Sequence, residues 1–77
     1  MKLKIISAEQ IEFEGEVEQI TLPGALGSFQ ILNNHAALIS SLVPGTLSYV
    51  SGEKTEEREI KGGIADVKDN VVSVCLY

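Results

Sequence analysis

The sequence predicts an all-β fold, a two-sheet β-sandwich of short strands. Turn-forming Gly, Pro and Asn residues recur about every 8–12 residues along the chain. Apolar and polar residues alternate between them, as Leu3 and Ile5 do against Lys2 and Lys4. No stretch has the period of an amphipathic helix of useful length. These three observations favour a sandwich or a barrel over a helical fold.

A second alternating run covers residues 11–17, after a break in the first. The apolar phase then shifts by one residue, to Ile20 and Leu22. Because such a shift moves side chains to the other face of a sheet, we expect a turn or a bulge near residues 13–16 or at Gln19.

Proline and glycine mark the next boundaries. Pro23-Gly24 is expected to end a strand, since proline has no ladder donor and glycine tolerates positive φ. A short strand is predicted over 27–32, followed by a turn at Asn33-Asn34. Residues 36–42 fit either a strand or a single helical turn, ended by Val43-Pro44-Gly45.

The carboxy-terminal part is expected to form a hairpin and two further strands. Gly62-Gly63 lies at the opening of one of them and predicts a bulge or the close approach of another backbone. The predicted strands cover residues 46–50, 55–60, 61–67 and 71–77, with turns at 51–54 and 68–70.

Composition limits the function. The chain has 77 residues, enough for one domain over 1–77. Its net charge is −5 and it has no basic stripe, which argues against nucleic acid or an anionic membrane surface as a partner. No apolar run approaches the ~20 residues of a membrane span, so no direct membrane insertion is expected. The single Cys75 suits a reducing compartment and is expected to be buried as a small hydrophobe.

Four glutamates alternate along the second run. They are Glu12, Glu14, Glu16 and Glu18. They are interpreted as the solvated face of a strand or turn, with contact to a basic partner as the alternative.

Residues suited to catalysis or metal binding are few. His35 is the only histidine, and no nucleophile-elbow pattern surrounds Ser28, Ser40 or Ser41. One histidine and one cysteine cannot build a typical zinc site. The glycines form no phosphate-binding loop. No cofactor, metal or catalytic residue is therefore predicted, and function is expected to lie in the surfaces.

Two segments resemble the amino-terminal domain of the epsilon subunit of bacterial and chloroplast ATP synthases, called delta in mitochondria. The first segment covers residues 22–38 and is followed by Pro44-Gly45. The family's pattern there is a proline-glycine turn, a glycine-rich strand that ends in Ile-Leu, the sequence Pro-Gly-His-Ala-Pro-Leu and a later Pro-Gly. The second joins residues 62–67 to 70–74. Ser7-Ala8-Glu9 is similar to the family's opening motif, so the resemblance spans nearly the whole chain.

The chain departs from the family pattern at several positions. Gln30 replaces a glycine, Asn33-Asn34 replaces Pro-Gly, and Ser28 replaces a common glutamate that would contact the membrane ring. Family members commonly continue into two carboxy-terminal helices. The resemblance therefore implies a short form, in which the carboxy-terminal helical domain is absent.

What the resemblance implies is a non-catalytic β-sandwich subunit in the central stalk of a proton-translocating ATP synthase. It would bind the gamma subunit and the loops of the c-subunit ring, on the cytoplasmic face of the bacterial inner membrane. By position, the c-ring contacts would be Gly27, Ser28, Phe29, Gln30, Asn33 and Asn34, and the gamma-subunit contacts Ser7, His35 and Ser40.

Alternatives remain at the level of residues and of function. Phe29 and Leu32 could instead pack in the core, and Ser7 and Ser40 could be solvated.

A free-standing adaptor that binds a peptide or a carbohydrate would need a groove lined by aromatic residues. A small hydrolase would need a serine and a carboxylate within hydrogen-bond reach of His35. Two standard interfaces would cover about a third of the ~4,600 Å² expected for the surface. An exposed apolar patch larger than solubility alone would tolerate is therefore predicted.

Overall fold

The computed structural model describes all residues, 1–77, and folds them into nine β-strands without a helix. No part of the chain therefore forms a helix that could span a bilayer. The strands are β1 Lys2–Ile6, β2 Ile11–Glu16, β3 Gln19–Gly24, β4 Gly27–Leu32, β5 Leu38–Leu42, β6 Gly45–Ser51, β7 Lys54–Ile60, β8 Gly63–Lys68 and β9 Val71–Leu76.

The strands form a curled sheet whose two halves face each other, which confirms the predicted β-sandwich. One half has the order β2-β1-β9-β8-β5 and the other the order β7-β6-β3-β4. The halves are joined where Gly24 of β3 pairs with Leu42 of β5. Only β1 and β9 run parallel; every other pairing is antiparallel.

The core follows from the two-residue alternation. On β1, Leu3 and Ile5 are fully buried while Lys2 and Lys4 are half-buried on the opposite face. The same alternation on β8 and β9 aligns inward-facing residues across neighbouring strands. The largest fully buried side chains are Leu3, Ile5, Ile20, Leu22, Ile31, Leu47, Val72 and Val74.

Strand β3 ends at Gly24, as the predicted boundary at Pro23-Gly24 requires, although Pro23 itself still lies within the strand. The chain then turns at Ala25-Leu26 before Gly27, whose φ is 124°. Proline is tolerated at this position because no N–H is needed there for a hydrogen bond to β4. Its carbonyl oxygen lies on the side of β3 away from β4 and accepts a hydrogen bond from the Val43 N–H at 2.9 Å.

Two boundaries were predicted with alternatives, and the structure decides both. The phase shift falls at residues 17–18, between β2 and β3 and directly before Gln19. A separate register shift lies between Ile5 and Ile6 in the pairing of β1 with β2. Within residues 36–42, the strand β5 forms and there is no helical turn.

The turns and the glycine pair behave as predicted. Asn34, Asp69 and Asn70 have positive φ, as expected of turn residues. A Cβ on Gly63 would lie 2.3 Å from the carbonyl oxygen of Cys75, so the predicted close approach of another backbone is confirmed.

Cys75 is exposed, contrary to the prediction. Because side chains alternate along β9, burial of Val72 and Val74 turns Cys75 to the outer face. The apolar sequence neighbours of Cys75 were therefore no sign that its own side chain is buried.

Candidate functional site

One side of the sandwich is open and forms a groove between β5 and the β3–β4 hairpin. The groove has a volume of about 600 Å³. Although 22% of the chain is charged, none of the ten lining residues carries a charge. They are Gly24, Ala25, Leu26, Gly27, Ser28, Phe29, Leu38, Ile39, Ser40 and Ser41.

Two large aliphatic side chains at this groove face solvent. Leu26, in the hairpin turn, is 105% exposed, and Ile39, on the outward face of β5, is 75% exposed. Burying a side chain of this size is worth about 1.5–3 kcal/mol. These two side chains share one groove.

The hairpin is held firmly at its tip. The ring of Phe29 lies against Gly24, so closely that a Cβ on this glycine would come within 2.7 Å of the ring. Phe29 also packs against the core, which supports its interpretation as a packing residue. The Ala25 N–H donates a hydrogen bond to the Ser41 carbonyl oxygen at 3.2 Å, tying the turn to β5.

The rest of β4 has an outer face open to solvent. Ser28 and Gln30 alternate with Phe29 and are exposed. Leu32 is 52% exposed, so its interpretation as a core residue was wrong. Outward-facing side chains on this strand are free to contact a partner.

The Asn33-Asn34 turn lies at the other end of β4. The Oδ1 atom of Asn33 accepts a hydrogen bond from the Met1 ammonium at 2.8 Å. The Asn34 N–H donates to Oδ1 of Asn70, also at 2.8 Å. These bonds connect the turn to the start of β1 and to the β8–β9 turn.

The three predicted gamma contacts lie in three different places. Ser7 follows β1, where its N–H and hydroxyl both approach the Gln10 carbonyl oxygen. His35 is exposed in the β4–β5 connection, and its Nδ1 lies 2.7 Å from the Ala36 carbonyl oxygen. No serine or carboxylate bonds the ring, so the arrangement that a hydrolase needs is not formed. Ser40 is half-buried on β5.

The structure regroups these residues. It brings Gly27, Ser28 and Phe29 together with Ser40 around the groove, although they were predicted for different partners. Asn33-Asn34 lies beyond the far end of β4, a strand of six residues and so about 20 Å long. Ser7 is separated from His35 by the length of β1. Only the groove therefore forms a compact site.

The opposite side of the sandwich is closed by side chains. Arg58 on β7 forms an ion pair with Glu12 on β2. Beside it, the rings of Phe13 and Tyr49 pack with their centroids 4.6 Å apart. These contacts join the two halves of the sheet where no strand pairing does.

The glutamate row has partners within the chain. Besides the pairing of Glu12, the Glu14 carboxylate lies 2.9 Å from Nζ of Lys2. Glu18 accepts a hydrogen bond from the Gly52 N–H at 3.2 Å. Glu14, Glu16 and Glu18 are exposed, which confirms the predicted solvated face, while Glu12 is half-buried.

Glu12 should make stability depend on pH. A hydrogen bond from Ser7, followed by one from Arg58, lowers the pKa of the Glu12 carboxyl from its ordinary value. Stabilisation from a lowered carboxyl pKa is fully present above the pKa of the unfolded chain and is lost as pH falls through the folded pKa. Glu12→Gln should therefore lower the urea midpoint at neutral pH, and its difference from the wild type should shrink below about pH 4.

Glu57→Gln is the matched control, since Glu57 is exposed and has no ion-pair partner. Its midpoint should follow the wild type at every pH. A Glu12→Gln difference that is equally large in acid would show that ionisation of Glu12 does not stabilise the fold.

The sequence analysis missed Leu26 and Ile39. Leu26 occupies a two-residue hairpin turn, where polar residues and glycine are usual, and an apolar residue there is a detectable signal. Ile39 had no signal, because its exposure depends on which face of β5 turns away from the core.

The comparisons with known proteins agree with this geometry. Residues 1–76 match the sequence profile of the family described as ATP synthase, delta/epsilon chain, β-sandwich domain. The chain belongs to this delta/epsilon family. It is 42% identical over 74 residues to the ATP synthase epsilon chain of Leptospira borgpetersenii, which covers 96% of this chain. It is 40% identical over 70 residues to that of Afipia carboxidovorans.

The family relatives are longer. The aligned region is 58% of the Leptospira protein and 52% of the Afipia protein, so the chain spans just over half of their length.

Solved structures show the same fold. A chain in the mitochondrial ATP synthase of Euglena gracilis, in a structure of its OSCP/F1/c-ring part, superposes with a TM-score of 0.89, covers 96% of this chain and is 28% identical. This chain covers 48% of it. A chain of the Tetrahymena thermophila central stalk and c ring has a TM-score of 0.84 at 19% identity, a likeness that shows the fold alone. That match covers 99% of this chain and 62% of the other.

Proposed function

We propose that this chain is a non-catalytic rotor subunit of a proton-translocating ATP synthase, linking the gamma subunit to the ring of c subunits. The observation that carries the proposal is the uncharged groove with its two exposed aliphatic side chains, Leu26 and Ile39, in a domain of this family. Exposed apolar groups on a rigid scaffold favour binding of other proteins.

The proposed role is mechanical. Torque can pass through a domain only if its contact points do not yield, and the β3–β4 hairpin meets this requirement. Its strands pair along their whole length, from Gln19 with Leu32 to Gly24 with Gly27. The bond from Ala25 to Ser41 fixes the tip against β5. Rotation of the ring would thus turn the gamma subunit, and ATP chemistry would take place in other subunits.

The contact residues are proposals by position. The c ring would meet the hairpin at Gly27, Ser28, Phe29 and Gln30, with Leu26 added because it projects from the tip. Asn33 and Asn34 complete the proposed ring contacts. They lie at the other end of β4, so a ring loop that contacts both groups must follow the outer edge of this strand.

For the gamma subunit, the proposed contacts remain Ser7, His35 and Ser40. Since they lie on three parts of the surface, gamma would have to surround the domain rather than touch one patch. Only Ser40 lies at the groove.

We further propose that the 77-residue sandwich suffices for binding both partners, without the additional length of its relatives. The complex would sit on the cytoplasmic face of the bacterial inner membrane, with this chain attached through its partners.

Co-purification tests the function directly. The chain would be mixed with the gamma subunit and the detergent-purified c ring of the same bacterium. We expect one complex containing all three on gel filtration, and pairwise complexes with each partner. The unrelated control is a small β-sandwich of similar size and charge. Failure of the wild-type chain to bind either partner would defeat the proposal.

A further inference from the structure

Strand β5 has one paired edge and one open edge. On one side it pairs with β8 along its whole length, from Leu38 with Val67 to Leu42 with Gly63. On the other side its only strand pairing is that of Leu42 with Gly24. From Leu38 to Ser40 the edge faces the groove without a neighbouring strand. Open edges of this kind readily accept another strand.

The backbone of Ile39 points into this groove. The Ser41 carbonyl oxygen accepts the Ala25 N–H, so it points away from β8. In an antiparallel strand, residues two apart direct their N–H and C=O groups to the same side. Ile39 therefore directs both groups to the open edge, where no hydrogen bond within the chain satisfies them.

The surroundings specify what can bind there. The groove is lined by apolar and small polar groups, and the Ile39 side chain is largely exposed. An uncharged, extended segment would pair with the backbone of β5 and place alternate apolar side chains beside Leu38 and Ile39, which leaves Leu26 at the hairpin tip to the c ring. A second copy of this chain is disfavoured, because each copy carries a net charge of −5.

We propose that an extended, uncharged segment of the gamma subunit binds in the groove as an added strand on β5. This inference rests on the proposed function, and it follows from the location of Ser40, a proposed gamma contact, on β5 itself. The open part of β5, from Leu38 to Ser40, is about 10 Å long, so the segment would pair with it over about three residues. Main-chain hydrogen bonds would supply affinity, and the groove would select side chains.

Amide hydrogen exchange tests the added strand. The labelled chain would be compared alone and in its purified complex with the gamma subunit. The Ile39 amide is expected to exchange at least about tenfold more slowly in the complex, since it gains a hydrogen-bond acceptor. The Gln30 amide, on the outer edge of β4, is the internal comparison and should change much less.

A backbone variant gives an independent test. Ile39→Pro removes the outward N–H, and proline is tolerated on an edge strand whose N–H faces solvent. It should weaken gamma binding at least about tenfold, whereas Ile39→Val keeps the donor and should bind like the wild type. The urea midpoint of each variant would show that it is folded.

The outcomes are distinct. If no complex with gamma forms at all, the proposed function fails. If the complex forms but the Ile39 amide exchanges as fast as before, or if Ile39→Pro binds as well as Ile39→Val, only the added strand is refuted. Protection of Ile39 that rises with concentration in the chain alone would assign the edge to a second copy and overturn the assignment to gamma.

Discussion

Gly63→Ala is expected to destabilise the domain by about 3 kcal/mol, the upper end of the usual cost of overpacking. The new methyl group would lie 2.3 Å from the carbonyl oxygen of Cys75, and this atom belongs to the paired backbone of β9. Because a backbone atom cannot rotate away, β8 and β9 would have to separate. For a domain of this size the total stability is only about 4–12 kcal/mol. Urea unfolding followed by circular dichroism measures the loss.

Gly52→Ala serves as the comparison. Gly52 has a φ of 64°, yet a Cβ there meets nothing within 4 Å. Its cost should be limited to the left-handed conformation, about 1–2 kcal/mol. If both variants unfold at the same urea concentration, a steric clash with the backbone of β9 is not the reason why position 63 requires glycine.

Leu26→Asp is expected to weaken binding to the c ring at least about tenfold without changing stability. Leu26 is wholly exposed at the hairpin tip, so its replacement removes no contact within the domain. In the proposed complex, burial of this side chain would be lost and a carboxylate would have to be desolvated. Titration of the purified c ring with labelled chain measures the affinity.

Ile11→Asp is the matched control, since Ile11 is also exposed but lies on β2, at the edge of the sandwich away from the groove. It should bind the ring like the wild type. Unchanged affinity of Leu26→Asp would remove the hairpin tip from the proposed ring contact and leave the rest of β4 to be tested.

Much of the fold could be predicted from the sequence, because strands and turns have local signatures. Alternation identified the buried face of β1, and asparagine marked the turns at Asn34 and at Asp69-Asn70. The position of Pro23 within β3 shows where local rules stop. Whether Pro23 ends a strand depends on which of its edges is paired, and the neighbour that decides this, Val43, is 20 residues away in sequence.

The candidate site was less predictable. Gly27, Ser28, Phe29 and Ser40 were selected through the family resemblance, and the structure brings them together. The same reasoning placed Ser7 and His35 in one contact surface, and these two lie apart. The position of a residue in a family motif can identify it as a contact residue. Which contact residues lie side by side on the surface depends on how the strands are arranged in space.

By itself, the sequence determined the all-β class, the buried faces of several strands and the main turns. These features depend on neighbours within a few residues, through side-chain alternation and the conformations that glycine, proline and asparagine allow. Only the tertiary structure decided which sandwich edge is closed by Arg58 and Glu12, which edge stays open along β5, and that Cys75 faces outward. Those features depend on pairing between distant strands, and long-range pairing leaves no mark in any short stretch of the chain.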